Sequence, residues 1–225
     1  MHSTRLAKLG RFLTTLMSAP NDANDINLVG FLLKSTYYHL FSKQIFAHHN
    51  SVVRGLHNID TSEGTLYLGK RYVGFLHGGD TTFVNVHPMG RLIIKGEVHI
   101  GKGCRVNVAK GGVCILNNCS VTGMSTLVVK HNLEIGPGSV IAWDCQLLDE
   151  DWHLIEYEDQ RQIEGKGIRI GQHVWIGNSV IILKGVDIGD GAVVGAGSLV
   201  TRSIPESCLV AGNPAKVIRH EIKWS

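Results

Sequence analysis

No run in this sequence approaches the eighteen or so consecutive apolar residues that a membrane span requires. The apolar stretch from Phe12 to Ala19 is short and interrupted by Thr14, Thr15 and Ser18. It reads as part of a short amphipathic helix and not as a cleaved leader. Arg5, Lys8 and Arg11 suit contact of that helix with an anionic membrane surface; packing on the body or on a neighbouring subunit would use the same helix. Charge is sparse as well. Charged residues make up 18%, the net charge is +3 with neutral histidines, and no dominant basic patch forms along the chain. That balance speaks against nucleic-acid binding, and with 44% hydrophobic residues it describes a folded chain. Cysteines are few and odd in number: Cys104, Cys114, Cys119, Cys145 and Cys208. An odd count argues against a disulfide scaffold, the spacing is not that of a zinc knuckle, and buried thiols in a reducing compartment remain.

Glycine, by contrast, is abundant, with 27 in 225 residues against an ordinary usage of about 7%. So many glycines imply many tight turns or close backbone approaches. Between Ile170 and Pro205 aliphatic residues recur every six positions: Ile170, Ile176, Ile182, Ile188, Val194 and Val200. A glycine follows four of them, and a second small or branched residue comes four positions after each, from Val174 to Ile204. Period six fits neither an α-helix nor a long strand. It fits short β segments joined by corners, three to a triangular coil, with stacked coils pairing as parallel strands. Ile135, Ile141 and Leu147 keep the phase, as do Ile100 with Val106, and Ile115, Val121 and Leu127 form another set of six. The pattern predicts an all-β solenoid, a parallel β-helix with a partly helical N-terminal segment and a short C-terminal tail.

The expected organisation is an N-terminal segment over 1–50, a β-helix over 51–205 and a tail over 206–225. Ile26 to Phe46 is predicted helical, with Leu28, Phe31, Leu32, Ser35 and His39 near one face. The tail is read as a turn at Gly212-Asn213-Pro214 leading into a short helical segment. Two stretches break the hexads. One is Ala109 to Val113; the other is a strongly polar loop over 148–167. A polar insertion between phased blocks should project from the prism, where loops on rigid scaffolds carry chemistry.

The block HVWIGNSVIILKGVDIGDGAVVGAGSLVTRSIPESCLVAGNPAKVIR resembles the C-terminal half of the hexapeptide-repeat acyltransferases, most of all the sugar and polysaccharide O-acetyltransferase branch. The resemblance is close over Ile135 to Arg219 and looser back to Leu92. It implies a left-handed parallel β-helix, and a homotrimer with parallel prism axes and active sites between subunits. It also implies acetyl-CoA as acyl donor, a carbohydrate acceptor and no metal. The expected location is cytoplasmic, with peripheral contact at the inner membrane face through the N-terminal helix. The resemblance further implies a general-base histidine in the loop, here His153 of Asp151-Trp152-His153. Trp152 and Leu154 depart from the residues common beside that histidine.

Acyl transfer from a thioester needs a base for the acceptor hydroxyl and donors for the oxyanion, and histidine suits the base role. Asp151 or Asp149 would orient the imidazole. Trp152 and His131 are candidates for the acceptor pocket. The resemblance puts Trp175, Gly177, Gly195 and Ala196 along the coenzyme, with Arg202, Lys216 and Arg219 toward its phosphates and Asn213 and Pro214 shaping the cleft. The early stretch with His57, His77, His87, Tyr67, Tyr72, Phe75 and Phe83 could extend an acceptor pocket for a long glycan. Three other readings stay open: an amino-sugar N-acyltransferase, a γ-carbonic-anhydrase-like zinc enzyme using His131, His153 and His173, and a nonenzymatic β-helix subunit.

Overall fold

The computed structural model describes residues 27–70, 79–153 and 166–225. The expected amphipathic helix near Arg5, the residues Tyr72, Phe75 and His77, and the loop residues 154–165 lie outside the described residues.

Short strands wind round three flat faces, giving the expected left-handed parallel β-helix. The first face stacks Val113–Asn117, Asn132–Ile135, Ile168–Ile170 and Asp187–Ile188 in parallel. The second stacks Ser120–Gly123, Val140–Ile141, Trp175–Ile176, Val193–Val194 and Leu209–Ala211. The third runs from Ser51–Arg54 through Thr82–Val86, Arg105–Val108, Thr126–Val129, Gln146–Leu148 and Ile181–Leu183 to Leu199–Val200. The long strand Arg91–Lys102 turns a corner, pairing with Val113–Asn117 on the first face and Ser120–Gly123 on the second.

Burial alternates along each strand, as a pleated strand with one face on the core requires. Ile170, Ile176, Ile182, Ile188, Val194 and Val200 are all at most 1% exposed. One upstream set departs from expectation. Ile115 is only half-buried, and its neighbours Cys114 and Leu116 fill the core, because Leu116, not Ile115, pairs with Ile135 below it. All five cysteines are buried free thiols; burial pushes Cys104 and Cys119 up to about 12 and Cys145 up to about 11.

Coil length explains the slip. Core positions on successive faces stay five or six residues apart at two of the edges from Ile94 onward: Ile94 to Ile100 to Val106, Leu116 to Val121 to Leu127, Ile135 to Ile141 to Leu147. At the edge from the third face back to the first, the spacing is ten from Val106 to Leu116, eight from Leu127 to Ile135 and 23 from Leu147 to Ile170. It returns to six from Ile182 to Ile188. Every lengthening from Ile94 onward therefore falls on one edge of the prism.

The ends differ from expectation. Helix Leu28–Leu40 is shorter than the predicted span, because Ile45–Ala47 is a strand paired with Leu66–Leu68. β pairing thus begins inside the stretch assigned to the N-terminal segment. The Asn27 side chain caps the helix by accepting the Gly30 N–H at 2.9 Å. Phe31, Ser35 and Tyr38 are buried, whereas Leu32, expected on the packed face, is 43% exposed. The tail residues Lys216–Arg219 form a strand antiparallel to Leu209–Ala211, not a helix. Its pairing closes the second sheet at the C-terminal end. Among the described residues, no helix is long and apolar enough to cross a membrane.

Candidate active site

The 23-residue step begins where strand Gln146–Leu148 ends. Inward alternation continues one residue past it: Cys145, Leu147 and Asp149 are all fully buried. An inward carboxylate needs partners, and Asp149 has them in backbone N–H groups. Its oxygens accept the backbone N–H groups of Lys130 and His131, one coil above, at 2.7 and 2.8 Å. Burial pushes its pKa up, opposed by those N–H groups and by His131. Asp149 thus ties the start of the loop to the preceding turn of the same edge.

Glu150 makes the next tie, and the sequence reading missed it. One oxygen lies 2.7 Å from His131 Nε2. The other accepts the N–H groups of Asp151 at 2.9 Å and Trp152 at 3.3 Å. The His131 hydrogen bond is the main cause holding the Glu150 carboxyl below the usual range, with the two N–H groups adding to it. Trp152 takes φ +62°, a left-handed turn costly for a bulky residue, which the Glu150 oxygen helps to fix. Asp151 forms an ion pair with Lys184, one coil below, at 2.7 Å. Trp152 is 56% exposed, with the Lys130 ammonium 6.0 Å from its ring centre.

His153 follows these three anchors and is exposed at the edge. His131, expected as an acceptor contact, is half-buried and engaged with Glu150. The turn is held from above by Asp149 and Glu150 and from below by Asp151 with Lys184. The imidazole of His153 is presented outward from a braced turn.

The residues expected along a coenzyme sit elsewhere. Trp175 lies on the second face, 45% exposed. Gly177 lies at the edge between second and third faces, with Gly195 and Ala196 on the next coil. A Cβ on Gly177 would lie 2.7 Å from Ala196 N, and one on Gly195 2.9 Å from the Ala211 Cβ, so the stacking itself requires both glycines. The turn Gly212-Asn213-Pro214 closes over this edge. Leu199 N–H donates to Gly212 O at 3.0 Å and Ala215 N–H to Leu199 O at 2.8 Å, and the Asn213–Pro214 bond is cis. Lys216 and Arg219 are exposed on the closing strand. Arg202 is exposed on the other edge, the one that carries His153.

One aromatic group was not foreseen. Trp224 stacks on His173 at 4.1 Å with planes 4° apart, and its Nε1 donates to His173 O at 2.8 Å. The ring is also 6.1 Å from Trp175. His173 therefore stands at the edge between first and second faces, while His131 and His153 share another. The three do not converge within one chain, and no cluster of three or more potential metal ligands forms among the described residues.

The tyrosine of the early stretch is core, since Tyr67 lies stacked between Phe46 and His99 at 5.5 and 4.7 Å. Phe83 carries the Arg54 guanidinium over its ring at 5.3 Å. His57 and His87 are exposed on the edge that carries His153.

The chain is similar to known proteins. The family described as bacterial transferase hexapeptide (six repeats) matches residues 167–202. A protein of Klebsiella pneumoniae, described as an uncharacterized 24.8 kDa protein in the cps region, is 33% identical over 205 residues, 90% of this chain and 91% of the relative. The putative lipopolysaccharide biosynthesis O-acetyl transferase WbbJ of Escherichia coli K12 is 33% identical over 137 residues, 55% of this chain and 70% of the relative. Among solved structures, the polySia specific acetyltransferase NeuO superposes with a TM-score of 0.53 at 27% identity, over 81% of this chain and 89% of that one.

Proposed function

This chain belongs to the hexapeptide-repeat acyltransferases, and from that premise we propose that it moves an acetyl group from acetyl-CoA to a hydroxyl of a sugar or polysaccharide, with His153 as general base. The observation that carries the reading is the braced turn: Asp149, Glu150 and Asp151 each fix one side of the short segment that presents His153.

The chemistry follows. A neutral His153 nitrogen takes the proton of the acceptor hydroxyl as its oxygen attacks the thioester carbonyl. The tetrahedral intermediate collapses, the C–S bond breaks, and the coenzyme thiolate recovers the proton from the imidazolium. The products are an O-acetyl ester and free CoA. The thioester is already activated, so neither a metal nor a covalent enzyme intermediate is needed. Asp149 and Asp151 serve as positioning residues here, orienting the imidazole by fixing its turn.

The reading includes a homotrimer. His153 and the pair Trp175 and Gly177 lie on opposite sides of the third face, so one chain does not bring base and coenzyme residues together. A neighbouring prism would supply the second wall of the cleft, with Trp175, Gly177, Gly195 and Ala196 along the pantetheine arm. Lys216 and Arg219 would meet the coenzyme phosphates. Arg202, on the edge of His153, would reach them from the facing subunit. The remaining expectations, a cytoplasmic site of action and peripheral contact at the membrane, belong to this reading as well.

The test is CoA release from acetyl-CoA against a panel of glycans and amino sugars, with the product treated with alkaline hydroxylamine. Acceptor-dependent release of a hydroxylamine-labile product is expected. A hydroxylamine-stable amide would make the enzyme an N-acyltransferase, and no release with any acceptor would contradict the reading.

A further inference from the structure

The edge that carries His153 carries more than a loop. At its N-terminal end an open cleft of about 470 Å³ lies between the first two turns, lined by Lys43, His57, Asp60, Met89 and Arg91 among others. Each later turn of the same edge adds a cation or an imidazole. Lys110 is exposed on the next turn, and Lys130 and His131 are half-buried on the one after. The fifth turn is Asp149 to His153.

These turns form one column, as backbone contacts between them show. A Cβ on Gly55 would fall 1.9 Å from Val86 O, so the first turn sits directly on the second. Gly111 N–H donates to Met89 O at 3.0 Å. A Cβ on Gly112 would lie 2.6 Å from Val129 O, and Lys130 N–H donates to Asp149 at 2.7 Å. Four coil steps of about 4.8 Å separate the first turn from the His153 turn, so the column is about 19 Å long.

Its charge sets it apart from the edge between first and second faces. Between the cleft and the fourth turn, Asp60 is the one carboxylate among the described residues, and it accepts the Ser62 N–H at 2.9 Å. The carboxylates of the fifth turn are already engaged, Asp149 with backbone N–H groups, Glu150 with His131 and Asp151 with Lys184. Arg91 and Lys110 take part in no ion pair among the described residues. The edge from first to second face has the opposite character. It carries Glu63, Glu97, Asp190 and Glu206 against Lys95, which pairs with Glu63 at 3.6 Å, and the exposed Lys223 of the tail packed over it.

We propose that this cationic edge binds an acidic glycan, a polymer with carboxylates on its sugars, and leads it from the cleft to His153. The proposal rests on the acyl-transfer reading above and names the class of its acceptor. A row of cations repeating at each coil suits a ligand whose own charges repeat, and it is several times longer than one sugar ring needs. Lysine and arginine bind carboxylates through charge-assisted hydrogen bonds, and an array of one sign also attracts the polymer before contact.

The test is binding of fluorescein-labelled oligogalacturonate to the full chain by anisotropy, with no acyl donor present. A labelled maltooligosaccharide of equal length serves as neutral control and a single-stranded DNA of equal charge as non-glycan control. The expected result is salt-sensitive binding of oligogalacturonate. Its Kd should rise at least tenfold in the Arg91→Gln/Lys110→Gln double variant at an unchanged thermal midpoint. An unchanged Kd in the variant overturns the proposal, as does equally tight binding of the neutral oligosaccharide. DNA binding as tight as oligogalacturonate, with the same loss in the variant, overturns the assignment to a glycan. The two readings separate cleanly, because glycan binding without turnover contradicts acyl transfer alone, and turnover on neutral glycans without acidic-glycan binding contradicts this inference alone.

Discussion

Coils on the two sides of the loop after Leu148 share one cross-section but not one length. Downstream, from Ile170 to Val200, every core step is six residues, and the prism has no spare chain at any edge. Upstream, two edges hold to five or six while the third takes eight or ten. The difference teaches where variation is permitted. A coil can lengthen only where the added residues leave strand register and inward alternation untouched, which confines it to a corner. Here one corner takes the lengthening from Ile94 onward, and that corner carries the cleft, the cationic column and His153.

The comparison breaks most sharply in the core. Leu116→Asp and Ile182→Asp each bury an unpartnered charge, one in a long coil and one in a short coil, and each should cost more than about 4 kcal/mol or prevent folding. Ile115→Asp, one residue away, should cost under about 1.5 kcal/mol, because Ile115 is half-buried and points outward. Thermal melts of the three decide it; an Ile115 variant as damaged as the Leu116 variant would restore the hexad phase that the structure rejects.

Gly177→Ala probes the tight coils. Its Cβ would stand 2.7 Å from Ala196 N, so a loss of about 1–3 kcal/mol is expected by denaturant melt. Gly111→Ala, in a looser turn where no atom lies within 4 Å, should cost less despite its φ of +80°. Equal losses would show that coil spacing is not the constraint.

Glu150→Gln sharpens the account of the variable edge. It weakens the tie to His131 while keeping the side chain's shape, so turnover should fall about tenfold through misplacement of His153, with a small loss of stability near neutral pH. A drop in KM for the acceptor with unchanged kcat would point to another role. The pH dependence follows from the lowered Glu150 pKa. Because the folded value is depressed, the stability that this carboxylate contributes is complete above its ordinary value of 4.5 and is lost as pH falls through the lower folded value. Wild type and Glu150→Gln should thus differ in thermal midpoint at pH 6 and converge in stronger acid. A gap that persists at low pH would assign the stabilisation to another group.

The short coils were legible because sequence period and structural period coincide; six residues place each aliphatic on the next face. Upstream the period survives only in fragments, and Ile115 shows the cost. It stands six residues before Val121, yet that corner is one residue shorter, so Leu116 takes the core position. The tail misled for a different reason. Lys216–Arg219 has the composition of a solvated helix, and only the free edge of Leu209–Ala211 makes it a strand. At the candidate site, the motif pointed to His153, and the structure leaves that residue exposed at the edge. The bracing was not readable, because Asp149 and Glu150 act on residues nineteen positions earlier, adjacent only once the coils stack. One signal for Asp149 was present: it extends the inward alternation of Cys145 and Leu147. The pairing of Trp224 with His173 across 51 residues had none.

The account stands or falls on His153. Acetyl-CoA turnover should be measured for wild type and His153→Ala side by side with an acceptor that the wild type acetylates, with CoA affinity and oligomeric state followed in the same samples. A loss of about 100-fold or more in kcat, with CoA affinity and assembly intact, is the predicted result. Turnover within a few-fold of wild type would contradict the assignment of catalysis to the variable edge.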